Sequence, residues 1–359
     1  MRRHTLLTAA LVLALASAST AAASASPAPA TDDLAAAVAP VEGYVWAWQP
    51  ANPGYIAATG YEYSSTGGAV QVLRPAVGTY QVRFLGMAGA GGVAHAGAYG
   101  TNHLCTVSSY GPSLGDEVVN VRCFTTAGAA VDTRFVAHVT NRKDGTSRGY
   151  LWNDDPTPPA AGHTPPAAWS YDSAGQPIVV YRSAVGRYQV QLGAFAQDSP
   201  ALWASGQLRA TAYGSSARHC QVLDPDLVAD PDLIEVHCHD DTGFNVDTRF
   251  TLTYSRKVLS ASATVDLTGA LPVLDGWSNT AGGAPTFTEL GVGDYLVSFP
   301  NAAVPRGHAT AAIMGTPPMF CTVQAWWPDA GVERIRVRCY DGNVGIPTPA
   351  VLLNVGFIA

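Results

Sequence analysis

Side chains able to do chemistry are few and unevenly placed along this chain. Near its end Arg334, Arg336 and Arg338 alternate with Ile335, Val337 and Cys339, and Trp326 stands a short way upstream. Read as a strand with its apolar residues inward, this run puts all three guanidinium groups on one outer face. Folding the chain back about Ala330 sets Arg334 opposite Trp326 and Arg336 opposite Gln324, with Phe320, Thr322 and Tyr340 on the same face. Arginine forks suit carboxylate or phosphate, and indole faces attract cations and sugar rings. Trp326, Arg334, Arg336 and Arg338 are therefore the candidate ligand-binding set. The competing use of the same residues is an Arg–Trp stack that solubilises an outer face or packs on a neighbouring part of the chain.

The histidines offer a second chemistry. His219, His237 and His239 fall on one side of a similar hairpin, near Asp240 and Asp241, and three imidazoles can hold a metal. Two of them point along a single strand, which converges poorly for tetrahedral ligation, and related stretches of the chain carry no such set, so no metal site is assigned. The acidic tip Asp224 to Asp232 lacks the glycine and the carboxylate spacing of a calcium loop and reads as a solvated turn. His95, His138 and His308 are unrepeated and have no partner identifiable from sequence. A hydrolase would need one of them to meet a carboxylate in a cleft between segments. No nucleophile elbow, zinc-protease helix, phosphate loop or dinucleotide fingerprint is present, and no cofactor is implied. Trp46, Trp48, Trp152, Trp169 and Trp277 could act as sugar platforms or as ordinary core rings. Tyr63, Tyr171 and Trp277 occupy matching places before a recurring strand, which favours a shared structural role.

The whole chain narrows these choices. Its 359 residues carry 20 basic and 27 acidic side chains, a formal charge of −7, and only 13% charged residues. That is too apolar for a disordered tail and, with only two lysines, the wrong balance for a nucleic-acid binder. Arg2, Arg3 and the apolar run from Leu6 to Ala18 form a leader with small residues at its end, so residues 1–25 are expected to be a signal peptide. A Pro/Ala-rich start, residues 26–42, follows it. No other apolar run has membrane length, and a secreted, extracellular protein with no membrane span is expected.

Repetition organises the rest. The six cysteines form three pairs, Cys105/Cys123, Cys220/Cys238 and Cys321/Cys339, with equal spacing. Each pair follows a Gly-x-Tyr-x-Val strand: Gly78-Thr-Tyr80-Gln-Val82, Gly186-Arg-Tyr188-Gln-Val190 and Gly293-Asp-Tyr295-Leu-Val297. Val131-Asp132-Thr133-Arg134-Phe135 recurs as Val246-Asp247-Thr248-Arg249-Phe250, and the third copy lacks it. Segments 43–141, 149–257 and 261–359 result, each about 100 residues, the size of an ordinary domain. Period-two alternation between Gly/Pro/Asn/Asp clusters, without helical periodicity, predicts an all-β chain of three tandem antiparallel β-sandwich-like repeats. The cysteines of each pair are symmetric about a turn-like centre, at Leu114, Ala229 or Ala330. Each pair is thus placed directly opposite in a hairpin, within disulfide reach, and export favours the bond.

The combination Gly-x-Tyr-x-Val, Cys-x-Val, Val-x-Cys and Asp-x-x-Phe resembles tandem cysteine-paired β-repeat secreted proteins of unassigned function from actinomycete-type bacteria. That resemblance spans the chain beyond its start and implies a fold and export, not an activity. The resulting expectation is a non-catalytic extracellular protein that binds a cell-wall or extracellular polysaccharide or a protein partner. The alternatives are a secreted hydrolase with its site at a repeat interface, and a protease inhibitor or toxin-like factor.

Overall fold

The computed structural model describes residues 40–143, 147–198, 202–223, 230, 232–256, 260–269, 271–305, 307–315 and 318–359. The expected signal peptide, most of the Pro/Ala-rich start and most of the acidic tip lie outside these residues. Nearly all regular structure is strand, as the alternation predicted. Among the described residues no helix is long and apolar enough to cross a membrane.

Each segment is a sandwich of two antiparallel sheets. In the first, Glu42–Ala47, Glu62–Ser64, Val93–Ala98 and Phe135–Thr140 form an inner sheet. Gly54–Ile56, Val70–Ala76, Thr79–Phe84, Leu104–Ser113 and Asp116–Phe124 form the outer one. Alternate residues meet between them: Val45, Phe135 and Ala137 against Val82, Phe84, Val119 and Val121. The second segment packs its own core around Tyr188, Val190, Ile234 and Leu252, and the third around Tyr295, Val297, Ile335 and Val355. The three cysteine pairs are directly opposed and bonded, with Cα separations of 4.1, 4.1 and 4.0 Å, as the hairpin geometry required. In the chain-entropy picture each such loop closure contributes about 3 kcal/mol.

The recurring strings now have physical roles. Gly78, Gly186 and Gly293 all take positive φ, 62°, 65° and 66°. Each carbonyl accepts the amide N–H of the second cysteine at 2.8 Å. A Cβ on Gly78 would come within 2.6 Å of the Cys123 carbonyl oxygen, so only glycine fits. Asp132 accepts the Gly78 amide and both Arg74 donors, and Asp247 does the same with Gly186 and Arg182. The Tyr80, Tyr188 and Tyr295 hydroxyls each receive a backbone N–H, from Thr133, Thr248 and Ala350. The third segment keeps the tyrosine anchor while lacking the aspartate.

The disulfide hairpins depart from simple mirror pairing. An even cysteine separation leaves an odd number of residues between the two. The tight two-residue turns at Leu114-Gly115 and Ala330-Gly331, all four residues at positive φ, are reached only if one residue leaves the ladder. Ser108 and Gln324 are those residues, set in bulges between Val107 and Ser109 and between Val323 and Ala325. Beyond the bulge the parity of every side chain is reversed. Trp327, not Trp326, faces Arg334, and Ala325, not Gln324, faces Arg336.

The segments are not separate beads. Leu104–Ser113 runs parallel beside the inner sheet of the second segment through Val107 and Tyr213. Arg218–Val222 meets the third segment through Val222 and Met314, and Met319–Asp329 returns to the first through Val323 and Tyr99. The contacts are cyclic, first to second, second to third and third to first, so the segments close around an approximate three-fold axis. Each core continues across its joint: Tyr213 packs on the first core, Met314 and Leu352 join the second, and Tyr99 and Val136 join the third.

Candidate functional site

Ring closure redistributes the residues singled out in the sequence. Arg336 pairs with Asp294 at 2.9 and 2.5 Å, Arg338 reaches the same carboxylate, and Arg334 pairs with Asp329 at 2.9 Å. Asp294 is buried, and the Arg336 guanidinium holds its carboxyl below the ordinary carboxylate range. The three arginines thus share a face as expected, already matched to carboxylates of the chain. Trp326 does not join them. The bulge turns its indole to the other side, where it meets Trp46 at 6.0 Å, Tyr99 at 5.3 Å and Tyr61 at 6.4 Å in the first segment. Tyr110, at the same place in the first hairpin, packs likewise on Trp169 at 5.0 Å and Tyr213 at 6.1 Å in the second. Trp46 and Trp169 are therefore joint residues. Trp48, 41% exposed, and Trp277, 39% exposed, remain open to solvent. Trp277 opposes Ala263, whereas Tyr63 and Tyr171 oppose Tyr44 and Tyr150. The matching pair in the third segment is Ser262 with Ser278, so the expected equivalence of Trp277 is off by one residue.

The expected wet face of the hairpins near the cysteines is buried. Phe320, Thr322 and Tyr340 are covered, as are His219, His237 and His239, because the three hairpins converge on the axis. Leu104, Phe320 and Tyr340 form a cluster of their own there. His219 faces His239 across the strands, ring centres 5.2 Å apart, and lies 6.0 Å from Phe320. Burial pulls His219 down to about 3, so its ring is neutral at physiological pH. His237 turns to Glu235 at 2.9 Å. Among the described residues no three His, Cys, Asp or Glu side chains are grouped to hold a metal.

His95, His138 and His308, scattered in sequence, come together on the axis around a chamber of about 50 Å³. His138 there meets the Glu42 carboxylate at 3.2 Å. That is the histidine–carboxylate meeting at a segment interface that a hydrolase would need, but the space is that of a few waters, too small for a polymer.

The roomy concavity lies elsewhere, on the outer sheet of the second segment. Val179–Ala184, Arg187–Gln191 and Leu233–Asp240 pair so that Tyr181 faces Gln189 and Gln191 faces Leu233. One wall is the short helix Gly193–Ala196, whose first two amides are held by Asp172 at 2.9 and 2.8 Å. The first and third segments turn at once after Phe84 and Phe299, without this wall. The resulting cleft, about 690 Å³, presents the amides of Gln176, Gln189, Gln191 and Gln197, the ring of Tyr181, and Asp230 and Asp232 at its rim. Gln176, Gln191, Gln197 and both aspartates are exposed, and the Tyr181 hydroxyl lies 3.5 Å from Gln191 Oε1. Sequence inspection missed this site because its glutamines are unremarkable one by one. The signal available was the Gln189-x-Gln191 alternation on a strand otherwise matched by Thr79–Phe84. Comparison with known protein families, characterised proteins and solved structures returns no match, so geometry alone carries the functional reading.

Proposed function

We propose that this is an extracellular, non-catalytic carbohydrate-binding protein whose ligand is a neutral polysaccharide lying in the cleft of the second segment. The observation that carries the reading is the cleft's chemistry. Carboxamides offer a donor and an acceptor each, the pattern a row of hydroxyls needs, and one half-buried tyrosine offers an apolar face for a sugar ring. The exposed aspartates at the rim would repel an anionic polymer. Three disulfides support an oxidising compartment. A cyclic three-segment body gives the outer sheet a rigid base, which lowers the ordering cost of binding.

The test is titration of the full chain with soluble neutral glucan and chitin oligomers, with polygalacturonate as the anionic control. Binding to a neutral sugar is expected, with Tyr181→Ala and Gln191→Ala each weakening it about tenfold, the loss of one good contact. Arg334→Ala and Arg336→Ala should leave it unchanged. No binding to any neutral sugar, or binding indifferent to Tyr181 and Gln191, would overturn the assignment.

A further inference from the structure

Three inner-sheet strands, Val93–Ala98, Gln207–Tyr213 and His308–Met314, line the axis with corresponding residues. Ala94, Leu208 and Ala309 point into the three cores, so the residues after them, His95, Arg209 and Thr310, point to the axis. Arg209 is the unusual member. It is 9% exposed, it lines the 50 Å³ chamber on one side, and on the other it lines a second axial cavity of about 100 Å³. Its guanidinium lies beside Gly97, where a Cβ would stand 3.9 Å from Nη2. Among the described residues it has no hydrogen-bond acceptor and no carboxylate partner.

The chamber does not supply a counter-charge from its own walls. Its one carboxylate, Glu42, is already engaged by His138 at 3.2 Å, Arg142 at 3.6 Å and Arg148 at 3.9 Å. Arg148, 4% exposed, is one of the groups that hold this carboxylate, and Arg209 is not among them. His95 is saturated, with Nδ1 2.9 Å from the Thr211 hydroxyl and Nε2 2.7 Å from that of Thr253. Burial, reinforced by Arg209, keeps its ring neutral. His308 is 1% exposed, stacked between Tyr44 at 5.4 Å and His138 at 5.8 Å, and neither ring nitrogen has a partner. Thr310 and Gln207 satisfy each other at 2.6 Å.

A buried cation without a partner is strongly destabilising, and a guanidinium does not readily escape by losing its proton. Burial pulls Arg209 down only to about 9, which leaves it charged at neutral pH. We propose that the axial chamber is a binding site for a compact monovalent anion, of chloride or nitrate size, held by the Arg209 guanidinium and by an N–H of neutral His308. The Glu42 carboxylate, which lines the same chamber, disfavours a second negative charge, which selects against sulfate and dianionic phosphate. Arg209 belongs to the second segment, His308 to the third and His95 to the first, so the anion would lock the ring at its centre. This site is independent of the carbohydrate cleft.

The experiment uses the full chain. Thermal unfolding is followed in sodium chloride, in sodium nitrate and in sodium gluconate, whose anion is too large to enter, at matched ionic strength. The midpoint should rise saturably in chloride and nitrate by several degrees over gluconate, the behaviour of a ligand that binds only the folded state. Arg209→Met, of similar length and uncharged, should abolish the difference and need no anion for stability. Crystals soaked in bromide should show anomalous density in contact with Arg209, a readout that stands even if the variant fails to fold. Equal midpoints in chloride and gluconate, a chloride effect that survives Arg209→Met, or no bromide on the axis would each overturn the proposal.

Discussion

Replacing Trp326 by alanine should lower the unfolding free energy by about 3 kcal/mol, whereas replacing its neighbour Trp327 should change it by less than about 1 kcal/mol. The two residues are adjacent and chemically identical, so composition and propensity predict no difference. The bulge at Gln324 separates them. It places Trp326 beside Ile335, toward the joint with the first segment, and Trp327 beside Arg334, toward solvent and 38% exposed. Trp326 meets three rings of the first segment there, and removing a packed indole forfeits both the transfer free energy and the aromatic contacts. Urea denaturation of both variants checks the claim. If Trp327→Ala were the more damaging, the bulged register would be wrong, and with it the separation of Trp326 from the arginine face.

The second large effect is on pH dependence. Glu117 and Glu333 occupy the same place in the first and third hairpins, each opposite a proline, Pro112 and Pro328. Both residues are fully buried; one carboxyl oxygen accepts a backbone N–H, from Gly89 or Val304 at 3.3 Å, and the other has no partner. Burial pushes Glu117 up to about 8 and Glu333 up to about 7. A carboxyl with a raised folded pKa holds a proton that the unfolded chain has released. Its contribution is therefore fully present below the unfolded value and is lost as pH rises through the folded one. The buried histidines act in the opposite direction. His95, His219 and His308 are held neutral by burial, so they cost stability as pH falls below about 6.5, where the unfolded rings take up protons. Stability should peak near pH 6.5 and fall by on the order of 2 kcal/mol by pH 8. Glu117→Gln with Glu333→Gln should flatten the alkaline limb and steepen the acid limb, where the same two carboxyls otherwise oppose the histidines. An unchanged decline above pH 6.5 in that variant would assign the effect to other groups.

What could be read without coordinates is the local, periodic part of the molecule. The cysteine pairing, the Gly-x-Tyr strand and the Asp132 and Asp247 strings each depend on contacts inside one segment. Alternation reports such contacts directly, because side chains on a strand change face at every residue. Even there, the unbroken mirror of Cys321 and Cys339 failed at Gln324. A single bulged residue reverses parity, and composition does not mark where it falls.

Closure of the ring decided the rest. It covered the hairpin faces that carry His219 and Phe320, made joints of Trp46, Trp169 and Trp326, and brought His95, Arg209 and His308 around one chamber. Each of those residues comes from a different segment, more than ninety positions from the next. Periodicity says which side of a sheet a residue occupies, but not what that side will meet. The partner of an outward face is set by how one segment's edge strand adds to the next segment's sheet, a long-range pairing that carries no local sequence signature.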